Sequence, residues 1–381
     1  MMIYLDYAAT TPMSNEALEA YQQVARQYYG NSSSLHDYGS TSSNILETCR
    51  TELARMISGK AEGIYFTSGG SEANYLAIRS LLRGNEHKGK HIITTETEHA
   101  SIHALCKALE KEDYEVTWLP VDSNGIIALS QLKAALREDT CLVSIQHANS
   151  ETGILQPLEA IGSLLKEKNI LFNSDCVQTF GKIPIDVEKL QLTSLSISAH
   201  KIYGPKGVGA LYINPKATWK SPYEEASHEN GMRPGTVNVP GIASFVTAAQ
   251  VMESMMLDTK EKYEMLRIYF LRQIQQLWLP ITVEGEHAKG LPHILGLRLS
   301  GMEGQHVMLE CNRKGIAIST GSACQVGSQS PSRTMLASGK TEDEAREFIR
   351  ISFGKHTTLK DLELAVQALK EIIEEWMKRS G

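Results

Sequence analysis

The sequence predicts an α/β protein built on a largely parallel sheet, and two observations carry that expectation. Between about residues 60 and 215, short apolar runs alternate with helix-like stretches. Polar side chains able to do chemistry fall just after several of those runs. Open parallel sheets bind their ligands beyond the carboxyl ends of their strands, which is where these residues would lie.

Each element has its own justification. "GIYFTS" (63–68), "HIITTE" (91–96), "VTWLPV" (116–121), "CLVSIQ" (141–146), "ILFNSD" (170–175), "SLSISA" (194–199) and "GALYIN" (209–214) are short and rich in apolar or β-branched residues, and read as strands. "EANYLAIRSLL" (72–82) and "LEAIGSLLKEK" (158–168) repeat their apolar residues at helical spacing. From "VPGIASFVTAAQ" to "QIQQLW" (239–278) the pattern stays helical and is expected to lead into a second, smaller α+β domain. There "ITVEG", "HILGLRLSG" and "FIRISFG" read as strands, and 303–314 and 358–378 as helices.

Composition narrows the function classes. The 381 residues suffice for two domains, and 42% hydrophobic with 22% charged residues is ordinary for a soluble globular protein. A net charge of −6 gives no electrostatic reason to expect direct nucleic-acid or membrane-surface partners. No apolar stretch reaches the roughly 18 residues of a membrane span, and "MMIYLDYAATTP" is not expected to be a signal peptide. The six cysteines show no CxxC spacing, which argues against a zinc ribbon or a disulfide framework and for a reducing, cytoplasmic setting.

Several segments could carry chemistry. In "FTSGGSEANYLAI", Gly69 and Gly70 admit close approach of a ligand, and Ser71 stands where a helix opens, a natural phosphate site; a plain N-cap is the alternative. Asp175 in "NSDCVQT" could hold a positive charge on a bound heterocycle or cap a helix, with Gln178 three residues on. Lys201 follows the strand "SISA" beside His200, and a lysine near a dry pocket can form a Schiff base with an aldehyde. In "TETEHASIH", His99 suits a base or a ring-stacking residue and His103 packing; a zinc pair lacks its third ligand. Asn149 and Glu151 in "HANSETG", and Arg233 and Thr236 in "RPGTVNVPG", offer polar groups in turns. Arg350 is a lone cation in the apolar run "FIRISFG" and needs a carboxylate, internal or from a substrate. Cys324 opens the polar, breaker-rich "GSACQVGSQSPSR", expected as a mobile loop rather than as the setting of a structural thiol. Together these groups meet the needs of a pyridoxal-phosphate enzyme acting on an amino acid.

With "YLDYAATTP", "GNSSSLHDYG", "ETEHAS", "SAHKIYGPKGVG", "RPGTVNV", "GSAC" and "IRISFG" added in order, the chain resembles a cysteine desulfurase of the class V aminotransferase group over nearly its whole length. The resemblance implies the type I pyridoxal-phosphate transferase fold, usually a homodimer, with a large domain at 15–255 and a small one made of 1–14 and 256–381. It implies that Lys201 carries pyridoxal 5'-phosphate, that Asp175 pairs with the pyridine nitrogen, that Gln178 bonds the ring hydroxyl and that His99 stacks on the ring. Gly70, Ser71, Ser198 and His200 would hold the phosphate, with Thr236 supplied by the partner subunit. Asn149 and Arg350 would bind the substrate carboxylate. Cys324 would take sulfur from L-cysteine as a persulfide, leaving L-alanine, and pass it to an acceptor protein of iron–sulfur, thiamine or tRNA thiolation chemistry. The chain differs from commoner relatives at Asn173, Cys176 and "SHENGMRPGT". A selenocysteine lyase or a class V aminotransferase is the alternative, and a non-enzymatic binding protein the remote one.

Overall fold

The computed structural model describes residues 2–277, 279–321 and 331–380. Its strands, in chain order, are β1 (Ile3–Tyr4), β2 (Ile64–Thr67), β3 (His91–Thr95), β4 (Glu115–Leu119), β5 (Thr140–Ser144), β6 (Leu171–Asp175), β7 (Ser194–Ser198), β8 (Gly209–Ile213), β9 (Ile281–Val283), β10 (Ile294–Leu299), β11 (Ile316–Ala317) and β12 (Phe348–Ser352). The seven strands β2–β8 form one sheet in the order β2-β8-β7-β6-β5-β3-β4. From β7 to β4 every pairing is parallel, and β8 runs antiparallel to both β2 and β7. Reversal of β8 leaves the carboxyl ends of β2, β3, β5, β6 and β7 on one edge.

This sheet is covered on both faces, which explains why its strands read as unbroken apolar runs rather than as alternating ones. Successive residues go to opposite cores. Ile93, Val143, Phe172 and Tyr212 join Leu53, Ile57 and Phe245 on one side. Ile92, Leu142, Leu171 and Leu211 join Leu76, Leu81, Ile102 and Leu105 on the other. The helix Gly70–Gly84 supplies much of the second layer, burying Ala73, Leu76, Ala77, Ser80 and Leu81 at helical spacing.

A separate core lies around β10 and β12, which pair antiparallel, with β9 on the far side of β10. It gathers Leu295, Leu297, Ile349 and Ile351 with Leu266 and Phe270 from Met256–Gln276 and Leu362, Leu369 and Ile373 from Leu359–Ser380. Leu5 belongs to it too, because β1 pairs in parallel with β11. The long helical stretch after residue 239 is two helices, Val239–Ser254 and Met256–Gln276, meeting at Met255.

Candidate active site

The sheet edge described above opens into a cavity of about 270 Å³. Gly70, Ser71, His99, Asp175, Gln178, Ser198, His200, Lys201 and Arg350, all singled out from the sequence, line it. Asn74, Gln146, Ala148, Ser150 and Glu151 complete much of the wall, together with Ala8 and Ala9 from the N-terminal segment.

One end is built by β2, β7 and β8. Gly69 has φ 149°, a left-handed conformation that favours glycine, and it turns the chain from β2 into the helix Gly70–Gly84. A Cβ on Gly209 would stand 2.7 Å from Gly69 Cα, so these two backbones must touch. No side chain among the described residues caps that helix, so its first amides face the cavity end. Ser198 Oγ is buried there without a partner among the described residues. His200 closes this end, with Nδ1 3.1 Å from Thr10 Oγ1. Burial, then the neighbouring Lys201, lowers its pKa to about 4, so the ring is neutral at physiological pH. Uncapped amides, an unpartnered hydroxyl and a neutral imidazole are a donor set for an anion such as a phosphate.

The floor carries Lys201, whose Nζ donates to the carbonyls of Ala8 and Ala9 at 2.7 and 2.8 Å. Asp175 ends β6 opposite it. Its Oδ1 accepts from Val177 N–H at 2.9 Å and its Oδ2 from Asn74 Nδ2 at 2.7 Å. Gln178 donates to Ala8 O at 3.0 Å, while its Oε1 is buried without a partner among the described residues. His99 is the N-cap of the helix Ala100–Glu110, and its Nδ1 accepts from Ser101 N–H at 3.2 Å and lies 2.8 Å from Ser101 Oγ. Those two contacts hold the ring at Nδ1.

Arg350 is the internal cation of β12. It donates to Asp6 Oδ1 at 2.6 Å and to Ser150 O at 2.9 Å. The sequence left open whether its partner was internal; the structure supplies Asp6 and still leaves Arg350 on the cavity wall. Asn149, expected as a substrate ligand, is held by its own loop. It lies outside the cavity lining among the described residues, with Oδ1 accepting from Glu151 N–H and Thr152 N–H at 2.8 and 3.0 Å and Nδ2 donating to Thr97 O at 3.2 Å. A short polar side chain at a turn meets its own loop first, so Asn149 shapes the loop that carries Ser150 and Glu151. Thr236 is exposed and lies outside the lining in its own chain. Arg233 pairs with Glu72 at 3.0 Å. His103 packs on Trp118 with ring centroids 4.6 Å apart, and no cluster of three or more metal-ligating residues occurs among the described residues. Cys324 and most of its segment lie outside the described residues.

Sequence reading missed two groups. Asn74 looks like one polar residue among many in "EANYLAI". Glu98 precedes His99 and is 4% exposed; Oε1 accepts from Gln146 N–H and Thr95 Oγ1, and Oε2 has no partner among the described residues. Burial pushes its pKa up to about 8, against the pull of the Gln146 amide. Its adjacency to His99 was the one available signal.

A lysine, an acid held by two donors and an anion-binding helix end, set on the carboxyl edge of this sheet, define a pyridoxal-phosphate enzyme of the type I fold. The buried hydroxyl of Ser198 and the carbonyl oxygen of Gln178, both awaiting partners, fit a phosphorylated, hydroxylated ring. The chain belongs to the aminotransferase class-V family, whose model matches residues 3–364, and its cofactor is pyridoxal 5'-phosphate. It is 52% identical, over 100% of this chain and 96% of the relative, to the putative cysteine desulfurase NifS of Bacillus subtilis strain 168. A solved NifS-like protein superposes with a TM-score of 0.91 at 31% identity, covering 98% of this chain and 100% of that one. A structure described as SspA in complex with cysteine superposes with a TM-score of 0.83 at 30% identity, covering 93% and 100%.

Proposed function

We propose that this protein is a cysteine desulfurase that converts L-cysteine to L-alanine and passes the sulfur, through a persulfide on Cys324, to an acceptor protein. The observation that carries the reading is the meeting of Lys201, Asp175 and Arg350 on one cavity, in a chain that matches a putative cysteine desulfurase from end to end.

When bound, pyridoxal phosphate supplies an electron sink for cleavage of bonds at the substrate's α-carbon. Lys201 would hold it, and Asp175, kept in place by Asn74 and Val177, would pair with its ring nitrogen. Gln178 offers Oε1 to the ring hydroxyl. Gly70, Ser71, Ser198 and His200 receive the phosphate, and Thr236, exposed in its own chain, reaches the site of a second subunit in a homodimer. His99, held at Nδ1 by Ser101, carries protons through its imidazole. Arg350 takes the substrate carboxylate through a charge-assisted pair, and Asn149 supports it through the Ser150 loop. In the net reaction the carbon–sulfur bond of cysteine breaks, a sulfur–sulfur bond forms on Cys324, and the β-carbon gains a proton.

We divide the chain into a large cofactor domain, 15–255, and a small domain, 1–14 with 256–381. The break at Met255 and the two separate cores support that division. The five cysteines among the described residues are buried and free, which supports work in the reducing cytoplasm. The net charge of −6 supports protein acceptors rather than nucleic acid or membrane, with iron–sulfur scaffolds and thiolation enzymes as the acceptor classes. The test is to supply L-cysteine with a thiol reductant and measure products. Equimolar alanine and sulfide are expected; an oxo acid in place of alanine would make the protein an aminotransferase.

A further inference from the structure

Arg350 leaves a backbone that is held on both sides. It lies opposite Gly296 on β10, its N–H donates to Ser319 O at 2.7 Å, and its carbonyl accepts from Ser319 N–H at 3.1 Å. A guanidinium has five N–H donors. Here one on Nη1 goes to Ser150 O and one on Nη2 to Asp6 Oδ1. Nε is buried without a partner among the described residues. Besides the buried Nε, one N–H on each Nη remains, enough for a bidentate carboxylate.

Asp6 is equally fixed. It bridges in parallel to Ser352, two residues along β12, and Tyr4 Oη donates to its carbonyl at 3.1 Å. Ser352 N–H donates to Leu5 O at 2.8 Å, and Ala8 N–H to Ser352 Oγ at 2.9 Å. The decisive point is on which side the carboxylate sits. Arg350 lines the cavity and Asp6 does not. An internal carboxylate that competed with substrate would have to stand inside the cavity. Asp6 instead pairs with the guanidinium from outside the cavity lining, and balances a charge that is costly to leave buried and unpaired.

We propose that Asp6 is the positioning residue of the substrate-carboxylate site, holding Arg350 from outside the cavity so that its remaining donors meet the carboxylate already oriented. The inference rests on the reading that Arg350 binds that carboxylate. It ties the N-terminal segment to substrate affinity across a separation of 344 residues.

The test uses holoenzyme and two ligands, L-alanine and cysteamine, the second having the amine and thiol of cysteine without its carboxylate. Binding is read from the change in the visible spectrum of the bound cofactor, and KM and kcat are measured with L-cysteine. Asp6→Ala should weaken L-alanine by about tenfold, the scale of one lost charge-assisted hydrogen bond, and leave cysteamine unchanged. The loss should fall in KM more than in kcat. Asp6→Asn, nearly isosteric, should fall between wild type and alanine, and carries the test if Asp6→Ala does not fold. In an Arg350→Ala background, Asp6→Ala should add nothing further. Equal or tighter L-alanine binding in both Asp6 variants, equal losses for both ligands, or additive losses in the double variant would overturn the proposal. Unchanged L-alanine affinity in Arg350→Ala alone would overturn the carboxylate reading beneath it, a result that does not involve Asp6.

Discussion

Asn74 Nδ2 donates to Asp175 Oδ2 at 2.7 Å, while Asn74 Oδ1 accepts from Ser196 Oγ. A buried residue of the helix Gly70–Gly84 thus ties an acid at the end of β6 to a hydroxyl on β7. The same amide donates to Ser101 Oγ at 3.1 Å, and Ser101 holds His99. One carboxamide therefore links the acid and the histidine that line the same cavity.

Asn74→Ala should leave Ser196 Oγ and one Asp175 oxygen buried without partners, a cost of about 1–3 kcal/mol. We expect the variant to fold less stably and to release cofactor more readily. Loss of visible absorbance on ultrafiltration measures the release. Retention equal to wild type would make Asn74 a packing residue only.

Lys201→Ala should abolish the absorbance of covalently held cofactor together with turnover. Lys201 also donates to the carbonyls of Ala8 and Ala9, so the N-terminal segment loses two contacts in the same variant. Far-ultraviolet circular dichroism separates that effect from loss of the cofactor bond. A variant that kept both absorbance and activity would sink the assignment.

Glu98 gives stability a pH dependence of known sign. In the unfolded chain its carboxyl ionises near the ordinary 4.5; in the fold burial pushes the pKa up to about 8. The fold thus prefers the protonated form. That contribution is fully present below pH 4.5 and is lost as pH rises toward 8. Glu98→Gln stays neutral throughout, so its stability relative to wild type should improve between pH 5 and pH 8, by on the order of 1 kcal/mol per pH unit. His147 and His200, both lowered to about 4 chiefly by burial, act the other way in acid, but equally in both proteins, and cancel in the difference. Urea unfolding at the two pH values checks this; a difference that does not change with pH would mean that Glu98 is ionised in the fold.

Cys324→Ser should bind cofactor and substrate yet form no persulfide and almost no alanine. A thiol with an ordinary pKa near 8.5 is only a few per cent thiolate at neutral pH, so the site has to supply a proton acceptor, and His99 is the nearest in role. Mass spectrometry after incubation with L-cysteine should place the added sulfur on a peptide containing Cys324. Among the described cysteines, burial raises the thiol pKa of Cys176 and of Cys311 to about 12, which makes them poor nucleophiles. Sulfur found on either of them, with Cys324→Ser fully active, would contradict the assignment.

The large sheet was legible because burial on both faces leaves a plain apolar run at every strand, and "CLVSIQ" and "SLSISA" became β5 and β7 almost residue for residue. The order of those strands was not legible. Nothing in "GALYIN" states that β8 runs against its neighbours or inserts between β2 and β7. The helix Val239–Ser254 ran on into its successor in the reading because both are helical and a break at Met255 leaves little mark on periodicity. The loop contacts of Asn149 were not legible for a related reason: a polar residue after a strand looks the same whether it faces a ligand or its own turn.

By itself the sequence determined which side chains can do chemistry here and at which strand ends they stand, because residue type and apolar period are local properties of the chain. It placed Lys201, Asp175 and His99 in this sense, and marked Arg350 as a lone cation within a strand. Tertiary structure decided what surrounds each of them. Asp6 reaches Arg350 across 344 residues, Asn74 rather than a strand neighbour holds Asp175, and Glu98 keeps its proton. Hydrogen-bond partners and the cost of burying charge depend on every group packed nearby, and those groups come from elements far apart in sequence whose meeting the chain does not spell out locally.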